Sequence, residues 1–245
     1  MVKLCCGDFV QRYFSKNKIN NNLLLNNDDM YHIKKVMRMR TNDKIEVIYN
    51  EILYICKIIN LENNEVEIIE KLDINNEFSK YIIVAFPLMK EDKINLILQK
   101  CCEIGVSEFI PIITERCVVK PSNMENKFER WNKILKEASE QSKRNIIPKI
   151  NEIINIKKLI NFKSDLKILC SLEKNSKNLK NILQNNQNCD RILIVSGPEG
   201  GLSNLEEEIL VNNNFLRTSI GSTVKRAETA PIYVSSSINY EFEKE

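Results

Sequence analysis

The sequence predicts an α/β fold: a mostly parallel sheet with helices on both faces, preceded by a small antiparallel β unit. Three observations predict it. β-Branched runs separated by short polar turns occupy the first 75 residues. After residue 80, apolar strand-like runs alternate with windows of helical period. Four of the six glycines, Gly197, Gly200, Gly201 and Gly221, gather in one short stretch near the end. The 245 residues suffice for one large domain or two small ones.

In the first unit, IEVIY (45–49), ILYICKII (52–59) and EVEII (65–69) are β-branched runs parted by NE and NLENN turns, the pattern of a small antiparallel barrel or sheet. Across residues 1–75, 11 basic side chains meet 11 acidic ones. Yet Lys34, Lys35, Arg38 and Arg40 crowd together just before the hairpins. A solvated helix face and a phosphate-binding patch both fit that cluster. The polar stretch KLDINNEFSK (71–80) reads as the boundary, giving domains 1–74 and 75–245.

The second unit begins with YIIVAF (81–86), a buried strand. Ile94, Ile97, Leu98 and Cys101 then recur at i, i+3, i+4 and i+7, so 91–104 is an amphipathic helix stopped by Gly105. EFIPIIT (108–114), LKILCSL (166–172), RILIVSG (191–197) and FLRTSIG (215–221) read as further strands. Helices are expected at 126–144, 176–185, 204–213 and 229–242. In the first of these, Phe128, Trp131, Leu135 and Ala138 form an apolar face, and Glu137, Gln141 and Arg144 a separate polar stripe. Alternation of this kind predicts a parallel sheet that binds ligands at the carboxyl ends of its strands.

Composition removes several classes. No run of 18 apolar residues exists, so no membrane span is expected, and the start lacks the apolar core of a secretory signal. Lys and Arg exceed Asp and Glu only by 36 to 33, which does not by itself argue for nucleic acid. The 32 Asn, 35 Ile and 27 Lys all have A/T-rich codons, so Asn clusters reflect base composition rather than function. The eight cysteines contain no C-x-x-C, and two pairs are adjacent, which suits neither zinc nor a disulfide framework. They are expected as small core residues in a reducing, cytoplasmic setting. His32 is the single histidine and stands among cations, which argues against hydrolase triads and excludes a multi-histidine metal site.

Chemistry should lie where the glycines gather. Gly197-Pro198-Glu199-Gly200-Gly201 follows a strand and precedes a helix, and matches neither phosphate-binding glycine motif. The helix opens with Ser203 and Glu206 at capping-box spacing, followed by Glu207 and Glu208. Three carboxylates there would repel a phosphate and suit a neutral or cationic ligand, although a plain tight turn also fits. A second cluster runs from Ile220 and Gly221 through Thr223, Val224, Lys225 and Arg226 to Glu228, Thr229 and Pro231. Arg226 lies in a strand-to-helix loop, either at a ligand edge or simply on the surface. Glu228 or Thr229 stands near the cap of the last helix.

Together, YHIKKVMRMRTNDKI, LILQKCCEIGVSEFIPIITERCVV, RWNKILKEASEQSKR, GPEGGLSNLE and IGSTVKRAETA closely resemble the 16S ribosomal RNA (uracil-N3)-methyltransferases of the RsmE type. The matching segments run in order from about residue 31 to 231. The resemblance implies an N-terminal PUA-like RNA-binding β-barrel and a C-terminal SPOUT domain whose last strands and helix form a deep trefoil knot. It further implies S-adenosylmethionine as cofactor, a homodimer with the cofactor site near the interface, and 16S rRNA or the 30S ribosomal subunit as partner, with no metal. The cofactor would be held by Ser171, Leu172, Gly197, Pro198, Glu199, Gly200, Gly201, Ile220, Gly221, Val224 and Thr229. Arg226 matches the family's arginine beside the methyl-transfer site. Thr223 and Lys225 depart from a usual basic residue and leucine.

N3 of uridine carries a proton that must leave. Arg226 is expected to stabilise negative charge on the uracil oxygens, with water or Glu228 accepting the proton, unless Glu228 is only a helix cap. Arg12, Lys35, Arg38, Arg40 and Arg144 are the RNA-binding candidates. Two other readings stay open: a SPOUT methyltransferase for another rRNA or tRNA base, and a non-catalytic RNA-binding assembly protein. GPEGG and Arg226 speak against the last, since a binder needs neither.

Overall fold

The computed structural model describes residues 10–121, 124–173 and 175–243. The chain divides into two units: one holds the residues up to Glu77 together with Ser139–Ile146, the other Phe78–Ala138 and the chain from Ile147 onward. The division thus falls three residues beyond the expected one, and an eight-residue segment rejoins the first unit.

The first unit contains β1 (Arg12–Phe14), β2 (Asn17–Ile19), β3 (Asn22–Leu24), α1 (Asn27–Tyr31), β4 (Lys44–Tyr49), β5 (Ile52–Ile58) and β6 (Glu65–Leu72). They form one sheet in the order β1-β4-β5-β6-β3-β2. Only β1 and β4 pair in parallel; the other pairs are antiparallel, with a register shift between Ile55 and Cys56. The inward residues Tyr13, Leu23, Ile45, Val47, Tyr54, Cys56, Ile58 and Val66 make one core, closed by Met30 and Ile33. The side chain of Asn26 accepts from Asp29 N at 2.8 Å and starts α1, which continues as a single π turn over His32–Val36. The short β1–β3 strands carry too few residues to show a period, so only the three long strands were legible in the sequence.

The second unit runs β7 (Tyr81–Pro87), α2 (Glu91–Ile104), β8 (Glu108–Ile113), α3 (Met124–Gln141), β9 (Lys149–Ile150), β10 (Ile154–Asn155), β11 (Leu166–Cys170), β12 (Lys177–Asn178), α4 (Leu179–Gln184), β13 (Arg191–Val195), α5 (Asn204–Val211), β14 (Leu216–Ser219) and α6 (Thr229–Phe242). Its sheet is parallel throughout, ordered β10-β8-β7-β13-β11-β14-β12, with β9 also on β8. Alternation explains the burial on both faces. Ile82, Val84 and Phe86 of β7, with Ile192 and Ile194 of β13, join the core built by α2, α3 and α6. Ile83 and Ala85, with Leu193 and Val195, join the core on the other face, with Leu210 of α5. A sheet covered on both faces needs continuous apolar strands, as the sequence provides.

Gly105 ends α2 at φ +105°, and its amide and that of Val106 donate to the carbonyls of Cys102 and Cys101 at 3.1 and 3.0 Å. The next helix, α3, stops at Gln141 rather than at 144, because Lys143 adopts φ +59° and Arg144 N turns back to Ser139 O at 3.0 Å. The polar stripe expected over Glu137, Gln141 and Arg144 therefore does not continue past the helix end. Cys56, Cys101, Cys102 and Cys189 are buried in the cores; Cys5 and Cys6 lie outside the described residues. Among the described residues no helix is long and apolar enough to cross a membrane.

Candidate active site at the carboxyl edge of the parallel sheet

β13, β11 and β14 are parallel neighbours, so the loops that leave their carboxyl ends share one edge of the sheet. These are the segments beginning at 171, at 196 and at 220, which hold every expected cofactor residue except Thr229, the first residue of α6.

The middle loop is a tight, clamped turn. Gly201 N donates to Pro198 O at 2.8 Å and Gly201 lies at φ +71°. A Cβ on Gly197 would stand 3.0 Å from Leu202 N and 3.1 Å from Gly201 C, so a side chain there would press the turn's backbone apart by a few tenths of an ångström. Arg116 holds it from outside, donating from Nη1 to the carbonyls of Gly200 at 2.8 Å and Leu202 at 3.2 Å. Ser196, at the strand end, is buried, and its hydroxyl has no partner among the described residues.

The capping box at α5 forms: the Ser203 hydroxyl accepts from Glu206 N, and Glu206 accepts from Ser203 N at 3.0 Å. Its other carboxylate oxygen accepts from Glu115 N at 2.7 Å. Glu207 accepts from the buried Ser171 hydroxyl at 3.0 and 3.1 Å and from Arg217 Nε at 3.0 Å. Two of the three carboxylates expected to repel a phosphate are therefore already paired. The box also takes up two of the amides at this helix start, Ser203 N and Glu206 N, which a phosphate would otherwise use.

In the last loop, Gly221 takes φ +109°. Lys225 donates to Thr223 O at 3.1 Å and to its hydroxyl at 2.6 Å, so the two residues that depart from the family pattern bind one another. Leu172 and Val224 are exposed, whereas Pro198, Ile220 and Ala227 are buried. Arg226 is exposed, and among the described residues its guanidinium has no hydrogen-bond or ion-pair partner. Its carbonyl is fixed, accepting from Thr229 N and Ala230 N at 3.0 Å each. Thr229 itself is exposed.

Glu228 occupies the cap position of α6, but its side chain makes no cap hydrogen bond. It is buried and stands 3.4 Å from Lys93 Nζ, which also bonds Glu199 at 2.7 Å. That bond holds Glu199 below the usual carboxylate range and Lys93 above the usual ammonium range. Lys93, Arg116 and Ser196 were not singled out in the sequence. Arg116 stands in TERCVV, just past a strand end, which is the one local hint to it.

Burial pushes the Cys170 thiol up to about 12, so the cysteine nearest these loops is no nucleophile. Among the described residues no three His, Cys, Asp or Glu side chains gather as a metal site.

The expected RNA-binding residues separate into two groups, both on the first unit. Lys35, Arg38 and Arg40 are exposed, beside Tyr31, which is 63% exposed. Arg12 and Arg144 are not on the surface. Arg12 is buried, pairs with Glu46 at 2.8 Å, and donates to the carbonyls of Lys143 and Arg144. Arg144 is buried on Glu77 at 2.6 Å, whose carboxylate also accepts from Asn145 N and Ile146 N. These two guanidinia tie the 139–146 segment into the first unit, and a phosphate would have to break that network to reach them.

Residues 76–239 match the RNA methyltransferase domain family and residues 25–71 the RNA methyltransferase PUA domain family. Fold and loops thus define an RNA methyltransferase joined to a PUA domain. The relatives sharpen this. The Ribosomal RNA small subunit methyltransferase E of Mesomycoplasma hyopneumoniae is 35% identical over 225 residues, covering 91% of this chain and 96% of that protein. That of Bacillus subtilis is 33% identical over 250 residues, covering 96% and 98%. A Legionella pneumophila protein solved with the bound cofactor SAM superposes with TM-score 0.86 at 26% identity, covering 94% of this chain and 97% of its own. The chain belongs to the ribosomal RNA small subunit methyltransferase E family.

Proposed function

We propose that this protein methylates N3 of a specific uridine in 16S rRNA, with S-adenosylmethionine as donor, in the cytoplasm and as a homodimer. The observation that carries the reading is Arg226, exposed and without a side-chain partner among the described residues, in a glycine loop at the same sheet edge as the 196–203 loop. The residues fit the donor. Among the described residues the buried Ser196 hydroxyl lacks a partner, and the Gly197 turn presents backbone rather than side chains. Ser171, Leu172, the 197–201 turn, Ile220, Gly221, Val224 and Thr229 would hold it. When bound, it supplies an electrophilic methyl on a cationic sulfonium.

The chain's own residues do the rest. Arg226 stabilises the negative charge that gathers on the uracil oxygens as N3 loses its proton, and water takes that proton. Glu228, buried against Lys93, serves by holding the Arg226 segment rather than as the acceptor. Lys35, Arg38 and Arg40 contact RNA phosphates, and exposed Tyr31 offers a face for an unpaired base. The family's trefoil knot belongs to the same reading and is supported by the parallel β13-β11-β14 order and by α6 lying against α2.

Mass mapping of 16S rRNA nucleosides from a deletion strain tests the reading. Loss of one N3-methyluridine, restored by the gene, is the expected result. A different missing nucleoside would assign another base. An unchanged rRNA together with no S-adenosylmethionine binding by calorimetry would favour a non-catalytic assembly protein.

A further inference from the structure

We propose that Lys93 is a positioning residue that ties the Arg226 segment to the 197–201 loop, so that the charge-stabilising guanidinium is set in place by an ammonium group outside its own segment. The inference rests on the function proposed above and concerns a residue that no motif of the sequence marks.

Lys93 lies in the first turn of α2, a helix that itself contributes nothing to the three loops. Its ammonium is 2.7 Å from Glu199 of the middle loop and 3.4 Å from Glu228 at the start of α6. Among the described residues no other side-chain hydrogen bond or ion pair joins the 196–203 segment to the 220–228 segment.

The two arms differ in weight. The Glu199 side chain is 48% exposed, and an ion pair in water contributes little. The Glu228 side chain is 9% exposed, and removing its partner leaves a buried carboxylate without compensation. The strain then falls on the segment holding Glu228. Arg226 is two residues away, and its carbonyl accepts the first two amide bonds of α6, so a shift of Glu228 moves Arg226. The middle loop is buffered, because Arg116 grips Gly200 and Leu202 independently of Lys93. Loss of Lys93 should therefore depress turnover far more than donor binding.

The test uses the full chain with Lys93→Met, Lys93→Arg, Glu228→Gln and the Lys93→Met/Glu228→Gln double variant. Methyl transfer to small-subunit rRNA, S-adenosylmethionine affinity by calorimetry, and amide hydrogen exchange are measured on each. Lys93→Met is expected to lower kcat on the order of tenfold or more, as a displaced catalytic group does. Donor affinity should change by about threefold or less, since the loss is confined to turnover. Lys93→Arg should recover most of the rate. In the Glu228→Gln background, Lys93→Met should cost about twofold or less, the non-additivity expected of touching groups.

A kcat near wild type for Lys93→Met, an equal cost in both backgrounds, or donor affinity falling in step with rate would each overturn the proposal. Exchange at residues 226–230 in the protein alone should quicken in Lys93→Met; unchanged exchange overturns it whatever the activity. A wild-type chain that methylates no RNA, while those amides do quicken, would bring down the function reading and leave the coupling standing.

Discussion

Arg226 and Arg12 carry the same guanidinium and meet opposite surroundings, and that contrast decides what each does. Among the described residues Arg226 has no side-chain partner to leave, so its charge is available to a substrate. Arg226→Ala should lower kcat by about 10²-fold, the loss typical of one charge-stabilising donor, with S-adenosylmethionine affinity retained. Full activity in that variant would remove Arg226 from the chemistry. Arg12 is enclosed by Glu46 and the carbonyls of the 143–144 turn. Arg12→Met should cost about 3 kcal/mol in denaturant unfolding, because among the described residues the buried Glu46 carboxylate then keeps Lys143 alone as ion-pair partner, while RNA affinity of the folded fraction stays unchanged. An RNA defect without a stability defect would return Arg12 to the phosphate face. Residue type and local spacing placed GPEGG and Arg226 in loops after strands, where the structure has them, because glycine patterns and strand-to-helix loops are local. They did not reveal Lys93 or Arg116, whose partners lie 106 and 84 residues away. They did not reveal that Arg12 and Arg144 are buried, because burial of a long cation depends on a distant carboxylate that no window contains.

At the scale of elements, each sheet edge has its own fastening. At the carboxyl edge, Gly197 sits where a Cβ would press closely on the backbone of Gly201 and Leu202, which has no rotamer to change. Gly197→Ala should open the turn and weaken S-adenosylmethionine binding by about tenfold or more, since a clash with backbone cannot be relieved by a rotamer change. Unchanged affinity would show that the turn does not shape the donor site. At the amino edge, Asp165 accepts from Asp190 N at 2.9 Å and Arg191 N at 2.8 Å, which holds its carboxyl below the usual range. A folded pKa lower than the unfolded one of about 3.9 contributes stability that is present above the unfolded value and lost as pH falls through the folded one. Asp165→Asn should therefore lower the urea midpoint at neutral pH, and the two proteins should converge in strong acid. Parallel urea curves at both pH values would refute that linkage. The long elements were legible because their periods are long: α2 was placed to the residue, and the buried strands to within two or three. The start of the 176–185 helix instead forms β12, whose two residues pair with β14, a choice made by the sheet and not by local propensity.

For the whole molecule, the proposed function assigns a salt-sensitive contact to one unit and a salt-insensitive one to the other. The exposed cations Lys35, Arg38 and Arg40 belong to the first unit, and the three loops belong to the second. Phosphate contacts release counterions, so RNA affinity should fall steeply with salt, whereas donor binding rests on backbone contacts and burial. Replacing Lys35, Arg38 and Arg40 together by Ala should lower the slope of log K against log salt by about 2, at roughly 0.7 per single-stranded phosphate. S-adenosylmethionine affinity should stay within about twofold, because sites that share no partners are energetically independent. The matched control is Arg144→Met, which removes a cation of the same unit that faces Glu77; it should destabilise the fold and leave the salt slope of the folded fraction alone. RNA titrations at several salt concentrations, with calorimetry on the same preparations, read both quantities. A triple variant with the wild-type slope would move the RNA face elsewhere, and a slope lost in Arg144→Met would mean that RNA binding opens the 139–146 network.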